Sequence, residues 1–172
     1  MKIVRKNIEI VKFISGKCGD IFTTQFENDE ICEMDKFISK YEKYLKDPLF
    51  TAFQKMHTAL YIMLNETGFK RNFFKEYENN LISKVKKTDE LRLYGIQVSE
   101  EEILLTNGGR KMKGKRPYQS SPLLFRQVKI LESLRPQLFE RMKTNKVTSI
   151  SELLDLGKDY AKFTIIYEDE LE

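Results

Sequence analysis

Two cysteines, one histidine, eight glycines and four prolines are all that a chain of 172 residues carries of those types, and each scarcity excludes a class. Cys18 and Cys32 are too few for a disulfide framework or a thiolate zinc cage, and the single His57 adds little to them. Both thiols are expected to be buried or idle. The low glycine and proline content excludes collagen-like and mucin-like chains. No run approaches the roughly 20 consecutive apolar residues that cross a bilayer, and the opening residues 1 to 6 read as a strand rather than as the apolar core of a signal peptide. The expectation is a cytoplasmic protein with no membrane partner, no metal and no cofactor.

What is present is the profile of one soluble domain with an appendage, 41% hydrophobic and 33% charged. The net charge of +4 conceals an asymmetry. Residues 1 to 106 carry 17 basic and 17 acidic side chains and are neutral; residues 107 to 146 carry 11 Lys/Arg against Glu132 and Glu140; residues 147 to 172 carry two lysines against seven carboxylates. A segment of +9 is therefore followed by one of −5. Solvated charge explains much of such a face, but the concentration in 107 to 116 suggests a phosphate-binding footprint, which the acidic stretch would shield.

Periodicity supplies the elements. Residues 3 to 14 read as a strand that forms a hairpin with Ile21 to Phe26 across the turn signals Ser15-Gly16 and Gly19-Asp20. Apolar residues at spacings of three and four predict one helix from about 30 to 46 and a second from Asp47-Pro48 to about Glu66, packed as an antiparallel hairpin. Leu81 to Lys87, Leu91 to Val98 and Glu102 to Thr106 read as a three-stranded meander, with a turn at Ser99 to Glu101. Ser120-Ser121-Pro122 opens a helix that Pro136 is expected to break in two. The capping-box pattern Ser149 to Glu152 opens a last helix toward Ala161.

Several motifs have structural explanations. Gly109 to Lys115 satisfies the glycine and lysine spacing of a nucleotide phosphate loop, but Arg116 stands where a magnesium-binding hydroxyl belongs and Pro117 interrupts the helix that should follow. His57 beside Phe53 and Leu60 reads as a core or core-edge residue, and Met34, Met56 and Met63 read as core filling. The carboxylates at 29 and 30 and at 100 to 102 fall at turns or caps, where solvation and helix-dipole complementarity account for them.

Residues 84 to 118 stand apart. Lys84 and Lys86 share one strand face by the two-residue alternation, as do Arg92 and Tyr94 on the next strand. With the loop at Arg110 to Lys115 folded over the same side, these residues would form a cationic trough suited to a nucleic-acid backbone.

Lys84-Val85-Lys86, Leu91-Arg92-Leu93-Tyr94, the strand ending in Gly108-Gly109-Arg110-Lys111 and Tyr118 together resemble the end of the RelE/HigB-type ribonuclease toxins. That resemblance implies an α+β fold in which a helix hairpin covers a small antiparallel sheet over residues 1 to 118, with a C-terminal helical extension from 119 to 172 packed on it. It implies metal-independent cleavage of messenger RNA on the ribosome, with Lys84, Arg92, Lys111 and Tyr118 as catalytic residues. Lys86, Lys87, Arg110, Lys113, Lys115 and Arg116 would hold the RNA. Its partners would be RNA, the ribosome and a cognate antitoxin, for which a small helix-turn-helix protein is one form. The chain departs from the family in having Lys rather than Arg at 111 and in continuing well past the fold's usual end. The alternative from another class is a noncatalytic module that uses the same basic face for a protein or nucleic-acid partner.

Overall fold

The structure is a computed structural model that describes residues 2–42, 48–77, 82–85, 91–111 and 121–169. Its element order is β1 (Lys2–Ser15), β2 (Asp20–Phe26), α1 (Glu33–Tyr41), α2 (Pro48–Ile62), β3 (Phe74–Tyr77), β4 (Ile82–Val85), β5 (Leu91–Arg92), β6 (Tyr94–Gln97), β7 (Glu102–Leu105), β8 (Gly109–Arg110), α3 (Pro122–Thr144), α4 (Ile150–Asp155) and β9 (Lys162–Asp169). The expected hairpin is β1 against β2, antiparallel from Ile8↔Phe26 to Ser15↔Asp20, and a register shift between Lys12 and Ile14 marks a bulge. The expected meander is present as β4, β6 and β7, each antiparallel to the next, but the strand expected from Leu91 to Val98 is divided, its first two residues forming β5 in another ladder.

An α+β fold is observed, but the sheet is not the small antiparallel one expected. Seven strands run in the order β3-β4-β6-β7-β2-β1-β9, and β2 and β7 are parallel, with Asp20 opposite Glu102 and Thr23 opposite Leu105. β5 and β8 form a separate two-stranded ladder. The parallel pair is what joins the N-terminal hairpin to the meander, a pairing across some 80 residues that no local pattern signals.

Helices cover both faces. Ile21, Ile103 and Leu105 pack with Phe37, Phe53, Met56 and Met63 of the α1/α2 hairpin and its continuation, whereas Phe22, Leu104 and Ile96 pack with Leu131, Leu134 and Leu138 of α3 and Ile150 and Leu153 of α4. Central strands buried on both faces lose the alternation of apolar and polar residues, which is why Glu102 to Leu105 reads as a near-continuous apolar run. Met34, Met56 and Met63 are core residues as expected. His57 is not: it lies on the exposed side of α2, with its ring 6.4 Å from that of Phe53.

The C-terminal segment differs from the helical extension anticipated. After α3 and a short α4 it ends in β9, which pairs antiparallel with β1 from Lys2↔Asp169 to Glu9↔Lys162 and delivers Phe163, Ile165 and Tyr167 to the core. β9 is an edge strand, and α3 closes that edge with side chains: Ser133 Oγ accepts from the Ile166 amide at 3.0 Å, Gln137 Nε2 donates to the Thr164 carbonyl at 3.0 Å, and Arg141 Nη1 donates to the carbonyls of Tyr160 and Lys162. Nor does Pro136 divide α3, which is one helix of 23 residues. Leu131, Leu134, Leu138 and Met142 stay buried on both sides of the proline, so packing on the sheet holds the helix across the lost amide hydrogen.

Candidate functional site

Three features are candidates for a site: the cations on β4 and β5, the basic segment after β8, and a cleft at the ends of the parallel strands. Lys84 lies opposite Tyr94 across the β4–β6 pair. Val85, Leu91 and Leu93 belong to the α1/α2 core, so alternation turns Lys84, Arg92 and Tyr94 toward the other side of the sheet, where α3 packs. Lys84 and Arg92 are each only 4% exposed. The pair therefore lies enclosed, and the open trough anticipated for these two side chains is not what the fold builds.

Arg110 is exposed and Lys111 half-buried at the end of the β5–β8 ladder, where Leu91 faces Arg110. Gly108 fixes how this ladder meets the sheet, because a Cβ there would stand 2.5 Å from the Arg92 carbonyl oxygen and from the Phe37 ring. Lys86, Lys87, Lys113, Lys115, Arg116 and Tyr118 lie outside the described residues. The basic balance farther along is largely used within the fold. Arg126 pairs with Asp169 at 2.8 Å and Lys129 with Glu132 at 3.3 Å, Arg135 stacks on Phe139, and Arg141 lies over Phe163 while it closes the β9 edge. What remains concentrated is 110 to 116, with five cations in seven residues and no acid. Within the acidic stretch Asp169 is no loose shield, since it is 4% exposed and held by Arg126.

The cleft arises from unequal strand lengths. β2 ends at Phe26, opposite Ile8, whereas β1 continues outward to Lys2 beside β9. The space beyond β2 is a cavity of about 860 Å³ bordered by β1, the turn after β2, Asn107 after β7, and α3. It thus opens at the carboxyl ends of the two parallel strands, where α/β sheets commonly place ligands. Phe26 and Tyr167 border it, Lys2, Arg5 and Lys6 contribute exposed cations, and Glu33, Asn107 and Gln127 are 4%, 7% and 2% exposed.

These polar groups differ in how they are satisfied. Glu33 lies 2.6 Å from Lys36 Nζ, and Lys36 also pairs with Asp29 at 2.5 Å. Burial pushes the Glu33 carboxyl above its ordinary value, with Lys36 drawing it partly back. Burial also opposes the charge of Lys36, but hydrogen bonds to Asp29 and Glu33 outweigh it and raise its pKa. Lys40, lowered by burial, donates to Asn107 Oδ1 at 3.3 Å and to the Gly108 carbonyl at 3.1 Å. Gln127 Oε1 is buried and has neither the hydrogen bond that Asn107 accepts nor an ion pair like that of Glu33. Sequence reasoning passed over this residue, although the signal was present, because a glutamine stands on the apolar stripe of a helix between Leu124 and Leu131. Among the described residues no cluster of His, Cys, Asp and Glu has the makings of a metal site, and no helix is long and apolar enough to cross a membrane.

Compared with known proteins, the chain matches no protein-family model, and no curated protein or solved structure is significantly similar to it.

Proposed function

We propose that this protein binds RNA through the basic segment 110 to 116 and does not cut it. The observation that carries the reading is the division of labour among its cations: those of α3 at 126, 129, 135 and 141 are engaged within the fold, while Arg110 is exposed at the head of a seven-residue stretch with five positive charges and no acid. Such a stretch attracts a phosphate backbone by releasing its counterions, without reading sequence. Cleavage of messenger RNA on the ribosome, the activity that the RelE/HigB resemblance implies, needs cations against the scissile phosphate. Lys84 and Arg92 are enclosed instead. A cognate antitoxin belongs to the RelE/HigB resemblance, whether the module cuts RNA or only binds a partner.

The test is binding and cleavage in one design. A labelled single-stranded RNA is titrated with the protein in chelator over a range of salt, then incubated with it in the presence and absence of ribosomes. Neutralising five phosphates predicts a slope of log affinity against log salt of about −3.5. Substitution of Arg110→Glu with Lys111→Glu should weaken binding and flatten the slope without altering the melting temperature. Ribosome-dependent cleavage that disappears in Arg92→Ala would replace this reading with the nuclease one.

A further inference from the structure

We propose that the cleft at the ends of β2 and β7 is a binding site for an adenine nucleotide, with the Gln127 amide reading the base. A primary amide carries a hydrogen-bond donor beside an acceptor, and its complement is a ring edge bearing an acceptor beside a donor. Adenine presents such an edge, and glutamine pairs with it in bidentate fashion. Gln127 is 2% exposed, borders the cleft, and leaves Oε1 without a partner. A buried polar group in that condition costs about 1–3 kcal/mol, a penalty that a ligand in the cleft would remove once the amide, whose Oε1 is sealed from solvent, turns toward it. Asn107 adds a second amide whose Oδ1 accepts from Lys40 Nζ at 3.3 Å, leaving its two N–H donors and one lone pair.

The rest of the cleft suits the same ligand. Phe26, only partly buried, supplies a ring on which a base can stack, and Lys2, Arg5 and Lys6 supply cations for a phosphate. A cavity of about 860 Å³ falls in the ordinary range for small-molecule sites. Phosphate alone would have no use for the buried amide or for the ring. The site is distinct from the basic segment, and the ligand chemistry is shared by a free mononucleotide and an unpaired adenosine in RNA.

Calorimetric titration of the full chain with 5′-AMP and with ribose 5-phosphate tests the proposal. AMP should bind, and ribose 5-phosphate should bind at least about tenfold more weakly. Gln127→Leu should lose about 10- to 100-fold in AMP affinity while its melting temperature stays level or rises, because an unsatisfied buried amide has been replaced by an apolar group. Gln127→Met provides the same comparison should the leucine variant fold poorly. The Arg110→Glu, Lys111→Glu variant should bind AMP like the parent, so failure of the RNA reading and failure of this one are distinguishable. Competition between AMP and a labelled oligoadenylate identifies the source: displacement points to a nucleotide of RNA, and simultaneous binding to a free nucleotide. The assignment is overturned if the parent takes no AMP at millimolar concentration, if AMP and ribose 5-phosphate bind alike, or if Gln127→Leu binds AMP as the parent does.

Discussion

Glu33 and Thr24 show what burial does to single polar groups in this fold. The Glu33 carboxyl, raised by desolvation above 4.5, binds its proton more tightly in the folded than in the unfolded chain. Its contribution to stability is therefore greatest at low pH and declines as pH rises from the ordinary carboxylate value through the raised one. Glu33→Gln should flatten that decline, which urea unfolding between about pH 4 and 8 would measure; an unchanged pH slope would count against the assignment. Thr24 is 1% exposed, and its hydroxyl has no partner. Thr24→Val keeps the shape and removes the unsatisfied oxygen, so it should raise stability by about 1 kcal/mol, and a fall in the urea midpoint would contradict this account.

Among elements, α4 depends on a carboxylate supplied from far along the chain. Glu102 opens β7 at 4% exposure, and its oxygens accept from the amides of Ile150 at 2.6 Å and Ser151 at 3.0 Å. The Ser149 hydroxyl meanwhile accepts from Glu152 N at 3.0 Å, as the capping-box pattern anticipated. A negative charge at the start of a helix satisfies orphan donors and complements the dipole. The sequence placed Glu102 at a turn or cap; the structure makes it the cap of a helix nearly 50 residues away. Glu102→Ala should cost about 1.5–3 kcal/mol, the range for a lost hydrogen bond to a charged group, with Glu102→Gln retaining part of it. Equal stability of all three proteins in urea would show that the cap is energetically idle.

At the scale of the whole molecule, the two chain ends share one sheet. Ending the chain after Ala161 removes β9 and with it Phe163, Ile165 and Tyr167, which are at most 7% exposed. Each contributes about 1.5–3 kcal/mol of burial, and together they approach the net stability of an ordinary domain, about 5–15 kcal/mol. The truncated chain should show no cooperative unfolding transition. Screening of the basic segment by the acidic stretch therefore has to be measured with the strand in place. Asp155 and Asp159 are exposed, and Asp155→Asn with Asp159→Asn should tighten RNA binding at low salt. The gain should fade near physiological ionic strength, where the Debye length is about 8 Å.

The sequence by itself determined the identity of most elements. The β1–β2 hairpin, the helix pair in the α1/α2 region, the β4, β6 and β7 meander, the Ser121 and Ser149 caps and the basic segment all rest on spacings of two to four residues or on adjacent turn chemistry. Tertiary structure decided which faces were covered. The β2–β7 parallel pair, the β9 edge strand and the burial of Lys84 and Arg92 depend on residues far apart in the chain. Alternation assigned each of those two cations a face of its own strand, but it carries no record of whether the two faces coincide or of what lies above them. Gln127 makes the same point from the other direction: its place on an apolar stripe was legible in the sequence, whereas the cleft it borders exists only because β1 outruns β2 once both have found their partners.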